Sequence, residues 1–257
     1  MPKEEVKRLA ENGFKEVVLT GIHVASYGKD LKTITLTDII RQVHEVEGIE
    51  RIRFSSIEPN VVTEEFAAAM AELPKVCDHF HLSLQSGCDK TLKEMNRKYD
   101  TEKYRQAAAL LRKYLPDVAI TTDIIVGFPG ETEEDYQASR AFAEEIGFSK
   151  IHVFPYSPKK GTPAAARKDQ LQNAVKQARS HDLITVNDRM TDAFLQKHVG
   201  KVMPVLFERR IGDDVYEGHT TNYMKVHARS TKDLSNVIAE TKILSVAEEM
   251  AFGEVEA

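Results

Sequence analysis

Short apolar runs alternate with longer segments of helical period through the first 155 residues. The runs 16–20, 51–55, 79–85, 118–126 and 150–154 read as strands. Between two of them Leu36, Ile39, Ile40, Val43 and Val46 fall on one helical face, and further on Tyr136, Phe142, Ala143 and Ile146 form another stripe. Thr132 stands at an N-cap position with Asp135 three residues later, close to a capping box. Strands separated by connections this long are parallel and joined by right-handed crossovers. Successive side chains of a strand face opposite ways, so parity tells what each face meets. Phe80, Leu82 and Leu84 oppose His81, Ser83 and Gln85, and Ile52 and Phe54 oppose Arg53 and Ser55. In the fourth run Val118, Ile120, Ile124 and Val126 oppose Thr121 and Asp123, with Thr122 interrupting the apolar side. An open doubly wound sheet, the alternative, has helices on both faces and needs both parities apolar. One polar parity instead predicts an α/β fold with a curved parallel sheet, helices outside and a polar hollow inside, that is, a partial βα barrel.

A long helical stretch follows Gly161-Thr162-Pro163, over about 169–198, with Leu171, Val175, Ala178, Val186, Met190 and Phe194 near one face. Beyond it the runs 202–207, 215–218, 224–228 and 241–246 are short and closely spaced, with turn signals at Gly212-Asp213-Asp214 and Gly218. They predict a small antiparallel β-barrel. The expected division is therefore 1–198 for the βα barrel with its long helix and 199–257 for the β domain.

Composition adds limits. Hydrophobic residues make up 42% and charged residues 29%, as in a soluble globular protein. A formal net charge of −5 carries no global signal for nucleic acid, and acidic side chains outnumber basic ones in 199–257. No apolar run approaches the roughly 20 residues of a membrane span, and no secretory signal opens the chain, so a cytoplasmic location with no membrane partner is expected. The two cysteines, Cys77 and Cys88, are eleven residues apart and have no neighbour at metal-ligand spacing. No metal-ligating set and no catalytic side chain is assigned.

In a parallel βα barrel the site collects at the C-terminal ends of the strands. Those ends carry Thr20-Gly21-Ile22-His23, Ser55-Ser56-Ile57-Glu58-Pro59, Gln85-Ser86-Gly87, Gly127-Phe128-Pro129-Gly130-Glu131 and Phe154-Pro155-Tyr156-Ser157. Glycine admits close backbone approach to a ligand, and Gln and Ser supply directional hydrogen bonds. The blocks Leu19-Thr20-Gly21-Ile22-His23, His81-Leu82-Ser83-Leu84-Gln85-Ser86-Gly87, Met95-Asn96-Arg97-Lys98-Tyr99, Thr122-Asp123-Ile124-Ile125-Val126-Gly127-Phe128-Pro129-Gly130-Glu131-Thr132 and His152-Val153-Phe154-Pro155-Tyr156-Ser157 resemble successive blocks of the radical-SAM tRNA methylthiotransferases. The last, with Gly161-Thr162-Pro163-Ala164-Ala165 after it, is most similar to the branch acting on N6-threonylcarbamoyladenosine beside the anticodon. Gly218-His219-Thr220-Thr221-Asn222-Tyr223-Met224-Lys225-Val226 is similar to that branch's TRAM domain, a small RNA-binding β-barrel.

The resemblance implies an enzyme that adds a methylthio group to C2 of the adenosine, with S-adenosylmethionine (SAM) and 4Fe–4S clusters as cofactors and tRNA as partner. It implies a SAM pocket of Thr20, Gly21, Ser55, Gln85, Arg97, Asp123, Phe154 and Tyr156, with Arg97 as a forked donor to the SAM carboxylate. It implies RNA contacts from Arg209, Arg210, Asn222, Tyr223 and Lys225. Arg53 and Asp123 could instead form a buried structural ion pair. The family's Cys-x-x-x-Cys-x-x-Cys loop, which holds the cluster, and its cysteine-bearing N-terminal domain have no counterpart here. The chain starts in what resembles the first barrel helix, so the first barrel strand is expected to be missing. These residues alone are then expected to be inactive, and an unpaired edge at 16–20 would favour self-association. Two other functions compete. One is an RNA-binding module without catalysis, working through 199–257. The other is an unrelated barrel enzyme using His23, His81 or His152 as acid, base or metal ligand.

Overall fold

The computed structural model describes residues 2–20 and 34–256. Five β-strands, β1 (Glu16–Leu19), β2 (Arg51–Phe54), β3 (His79–His81), β4 (Ala119–Val126) and β5 (Lys150–Pro155), alternate with helices α1 (Pro2–Glu11), α2 (Leu36–His44), α3 (Glu64–Ala71), α4 (Asp89–Glu94), α5 (Thr101–Tyr114) and α6 (Glu133–Ile146). β1 pairs with β2, and β3–β4–β5 form a second ladder, all parallel. Ile57 links the two ladders, its N–H donating to the His81 carbonyl and its carbonyl accepting from Ser83 N–H, both at 2.9 Å. The parity holds. Val17, Ile52, Phe54, Phe80, Leu82, Ile120 and Ile124 are buried in one apolar cluster with the outer helices. Phe54 stacks on Phe80 at 5.6 Å within it. Thr132 and Asp135 form the reciprocal capping box at the start of α6, and Gly147 ends that helix in the left-handed conformation at φ 65°.

Strand β3 stops at His81, four residues earlier than its sequence suggests, and Thr122 is the reason. Its buried hydroxyl donates to the Leu82 carbonyl (2.7 Å) and accepts from Leu84 N–H (3.0 Å). Tyr104 of α5 donates to the same Leu82 carbonyl at 2.8 Å. Side chains thus take the place of ladder bonds at Leu82 and Leu84, and Gln85, at φ 75°, rejoins β4 through an isolated parallel bridge to Ile124. For a non-glycine residue that backbone is costly and is held by its surroundings.

Helix α7 (Asn173–Gln196) lies along the open side of β5, where Asn187 accepts from Ile151 N–H at 2.6 Å. Its buried face corrects the expected stripe. Val175 and Ala178 are exposed, while Lys176, Arg179, Ser180, Leu183 and Val186 face inward. The helix buries polar groups because loop and strand-edge groups beneath it need partners.

Strands β6 (Val202–Gly212), β7 (Val215–Thr220), β8 (Lys225–Arg229), β9 (Val237–Ala247) and β10 (Met250–Val255) close a second barrel in the order β10–β8–β7–β6–β9. The small antiparallel barrel expected from four runs is present, with a fifth strand, β10, that pairs antiparallel with β9 and parallel with β8. A closed ring with an odd number of strands cannot alternate direction throughout, so one neighbouring pair must run parallel. Gly218 makes the tight crossing possible, since a Cβ there would lie 2.3 Å from the Leu206 carbonyl oxygen. This barrel has its own core around Val205, Phe207, Tyr216, Val226 and Ile243. Among the described residues no helix is long and apolar enough to cross a membrane, and β1 pairs only with β2.

Candidate functional site

The hollow of the parallel sheet is divided along its depth. Its N-terminal half is covered by the small barrel. Arg51 and Arg53, both buried, reach from β2 to that barrel's backbone. Arg51 donates to the carbonyls of His219 and Pro204, and Arg53 to those of Thr220 and Thr221, each at 2.7 Å. Arg53 also binds Glu16 at 2.7 Å, so its ion pair is with Glu16 and not with Asp123. Tyr223 is sandwiched between His79 (4.8 Å) and His219 (4.7 Å), with the Arg53 guanidinium 4.7 Å from its ring centre. A cavity of about 400 Å³ lies beside this stack, walled by His79, His81, Thr121, Lys150, His152 and Tyr223 among others. Burial pushes His79 down to about 3, with Arg53 and the neighbouring histidines adding to it. Burial likewise lowers His152. Asp123 Oδ2 sits 3.4 Å from His81 Nε2, and the imidazole beside it holds its carboxyl below the usual range.

The C-terminal half holds most of the residues expected at a SAM pocket. Thr20 is exposed at the end of β1, and Ser55 is tied beside it by its N–H to the Leu19 carbonyl (3.0 Å). Gly21, with Ile22 and His23, lies outside the described residues. Gln85 donates its N–H to the Asp123 carbonyl, which joins two of the expected polar contacts on adjacent strands. Phe154 points from β5 on the same parity as His152 and is 50% exposed, an apolar surface left open at the mouth. Tyr156 is anchored by its N–H to the Val126 carbonyl (2.8 Å), with Phe128 edge-on at 5.3 Å. Arg97 follows Asn96, which takes the left-handed conformation at φ 58°. It lies beside Tyr99, whose hydroxyl donates to the Leu84 carbonyl and is pushed up to about 12 by burial. The Arg97 Nε and the Tyr156 hydroxyl are both buried without a hydrogen-bond partner. Such groups cost free energy unless a ligand or water satisfies them.

Sequence reasoning missed the residues that hold this rim. Glu131 is buried, and its Oε2 accepts from the N–H groups of Gly127 (2.9 Å) and Phe128 (3.3 Å) in its own loop. Its Oε1 accepts from Arg179 of α7 at 2.8 Å. Burial raises the Glu131 carboxyl, and Arg179 partly offsets that. Lys176 donates to the Tyr156 carbonyl at 3.2 Å and packs so closely that a Cβ on Gly127 would meet its Cγ at 2.5 Å. The signal was present: Lys176, Arg179, Leu183 and Val186 recur at helical spacing, but two of them are charged and the stripe was sought among apolar residues.

The RNA-facing expectations fare differently. Asn222 is 2% exposed and bonded to His198 and Thr220, so it shapes a turn and has no free face. Tyr223 belongs to the stack between the two units. Arg209 and Arg210 are on the surface, paired with Glu217 (2.7 Å) and Asp214 (3.0 Å). Lys225 lies 3.6 Å from Glu217, which also meets His227 at 3.0 Å. The Glu217 carboxyl is thereby held down at about 2, the His227 hydrogen bond being the first cause. A depressed carboxyl contributes stability above its unfolded pKa that is lost as pH falls toward its folded one. Glu217→Gln is therefore expected to flatten the acid limb of the stability profile between about pH 4.5 and 2, read by denaturation at each pH; an unchanged limb would show that the pairs do not form.

No thiolate triad exists to hold an iron–sulfur cluster in these residues. Cys77 is buried, and burial pushes its thiol up to about 11. Cys88 is half-buried at the start of α4, 3.5 Å from the Asp135 carboxylate. Clusters of this kind are bound by several thiolates together.

Residues 1–143 match the model of the Radical SAM superfamily. Over 251 residues the chain is 39% identical to the threonylcarbamoyladenosine tRNA methylthiotransferase MtaB of Bacillus subtilis, covering 95% of this chain and 56% of that protein. It is 42% identical over 243 residues to the tRNA-2-methylthio-N(6)-dimethylallyladenosine synthase of Thermoanaerobacter sp. strain X514, covering 93% and 51%. The chain thus spans about half the length of the curated relatives it matches. Among solved structures, coproporphyrinogen III oxidase from Escherichia coli, described as a radical SAM enzyme, superposes with a TM-score of 0.57 at 13% identity. That match covers 86% of this chain and 58% of the other, a likeness of fold alone.

Proposed function

The chain belongs to the radical SAM superfamily, in its tRNA methylthiotransferase family, and from that premise we propose that it supplies SAM-pocket walls and the RNA-side domain of a methylthiotransferase acting on C2 of N6-threonylcarbamoyladenosine beside the anticodon. The observation that carries this reading is the pair of unsatisfied buried polar atoms, Arg97 Nε between α4 and α5 and the Tyr156 hydroxyl just after β5. Arg97 receives the SAM carboxylate, and Thr20, Gly21 and Ser55 border the methionine end. Gln85 and Asp123 offer polar contacts along the hollow, and Phe154 and Tyr156 give the adenine an apolar and aromatic surface. The division is 1–198 for the SAM-side unit and 199–257 for a TRAM-like unit, acting in the cytoplasm.

In the family the cluster supplies the electron that cleaves SAM. The two cysteines of these residues do not fit that group, so the 257 residues by themselves are proposed to be inactive. Anaerobic reconstitution with iron and sulfide is expected to leave no stable cluster absorbance and no SAM cleavage. A stable chromophore with cleavage would overturn that assignment.

The tRNA branch rests on the block His152-Val153-Phe154-Pro155-Tyr156-Ser157, since overall identity does not separate the two classes of relative (39% against 42%). Gel shifts with anticodon stem-loops carrying threonylcarbamoyladenosine or dimethylallyladenosine test it. Preferential binding of the first, weakening with salt, is expected; equal binding removes the branch assignment, and no binding at low salt removes RNA contact altogether. The second reading, an RNA-binding module without catalysis, works through the same small barrel, where the exposed Arg209 and Arg210 are paired with carboxylates. The edge of β1 remains a proposed route to self-association.

A further inference from the structure

We propose that His81, Asp123 and His152 form a site for one divalent transition-metal ion in the hollow of the parallel sheet. Each comes from a different strand, β3, β4 and β5, and all three share the inward parity. His81 pairs in register with Thr121, and Asp123 with His152, so the parallel ladder sets the three side chains side by side. One ligand atom from each lies within 4.8 Å of the others, and His81 Nε2 is 3.4 Å from Asp123 Oδ2. Neighbouring ligands on a tetrahedral zinc ion are about 3.3–3.6 Å apart, given metal–ligand bonds near 2.0–2.2 Å. One pair already meets that spacing. His152 is exposed, and its side chain has room to close the remainder.

A second observation points to a ligand. His81 Nε2 is buried and lacks a hydrogen-bond partner, while its Nδ1 lies 3.1 Å from the Thr121 hydroxyl. An orienting contact on one ring nitrogen that leaves the other aimed at a carboxylate is the arrangement metal-binding histidines use. The His81 and His152 rings lie 6.0 Å apart and 28° from parallel, both on the wall of the 400 Å³ cavity. Two imidazoles and one carboxylate suit Zn²⁺, Fe²⁺ or Co²⁺ and leave coordination positions open for water or a small anionic or thiol ligand from the cavity. Among the described residues this is the one group of such donors. Asp123 also belongs to the proposed SAM set, and one carboxylate oxygen serves only one of the two at a time.

The test is titration of the chelator-stripped full chain with Co²⁺, followed by visible absorption and calorimetry, then displacement by Zn²⁺. About one equivalent is expected to bind. His152→Ala, an exposed position where folding is not at stake, is expected to abolish that binding, as are His81→Ala and Asp123→Asn. Thr121→Val should weaken it about 10–100-fold. His227→Ala, on the small barrel, should leave it unchanged. Absence of binding, or binding that survives His152→Ala and Asp123→Asn but falls with His227→Ala, overturns the assignment. The site does not depend on the proposed reaction: Arg97→Ala should impair SAM binding and leave the cobalt titration intact, so the two ideas fail separately.

Discussion

Arg53→Ala is expected to destabilise the protein by about 3–5 kcal/mol, the cost of removing one partner from a buried ion pair. The substitution leaves Glu16 only the more distant Arg51 guanidinium, at 3.9 Å, and removes the donors to the Thr220 and Thr221 carbonyls. It also takes away the guanidinium that covers Tyr223. Because these contacts join the two cores, the loss should appear as uncoupling as well as weakening. Denaturant unfolding followed by two probes, one in each unit, should change from coincident to separate transitions. Arg53→Lys should recover only part, since an ammonium cannot present the two-pronged donor that meets both carbonyls. A single transition at an unchanged midpoint in Arg53→Ala would show that the clamp contributes nothing.

Arg179→Met is expected to cost a similar amount, about 3–5 kcal/mol, and to do so with a distinctive pH dependence. Without Arg179 the buried Glu131 carboxylate keeps only the N–H groups of Gly127 and Phe128. Burial already raises its pKa, and losing the cation raises it further. A carboxyl whose folded pKa lies above its unfolded value opposes folding once ionised, so the variant should regain stability as pH falls and Glu131 takes up a proton. Glu131→Gln in the same chain should restore part of the loss, because the two residues act as one unit. Hydrogen exchange at the Gly127 and Phe128 amides should quicken in Arg179→Met. A pH-independent loss would mean that Arg179 acts through packing alone.

These two arginines mark the boundary of what could be read in one dimension. The neighbours of Arg53 in sequence explain its position on an inward parity, but its partners lie at Thr220 and Thr221, and nothing local points to backbone carbonyls that far away. Arg179 sits in a helix whose period was legible, yet the face that became buried is not the apolar stripe expected and follows the needs of the loop at Gly127 and Phe128. Thr122 is a clearer case. Its break in the alternation of β4 was visible, and only the packed sheet shows that its hydroxyl ends β3 at Leu82 and Leu84. Among the expected RNA contacts, Asn222 and Tyr223 fall in a turn of the small barrel, where Asn222 is buried against His198 and Thr220 and Tyr223 is stacked on His79 and His219.

The sequence by itself determined the strand and helix periods, the parallel α/β order, the one polar face of the sheet and the cap at Thr132, because each depends on residues a few positions apart. It also carried the family likeness, block by block. Tertiary structure alone decided that the small barrel closes with a parallel pair, since that follows from closing an odd ring. It alone decided that Arg51 and Arg53 lock this barrel over half of the hollow, and that His81, Asp123 and His152 converge. Those outcomes depend on the register of parallel strands joined by long crossovers, and a pattern of residues along the chain contains no term for which distant strands become neighbours.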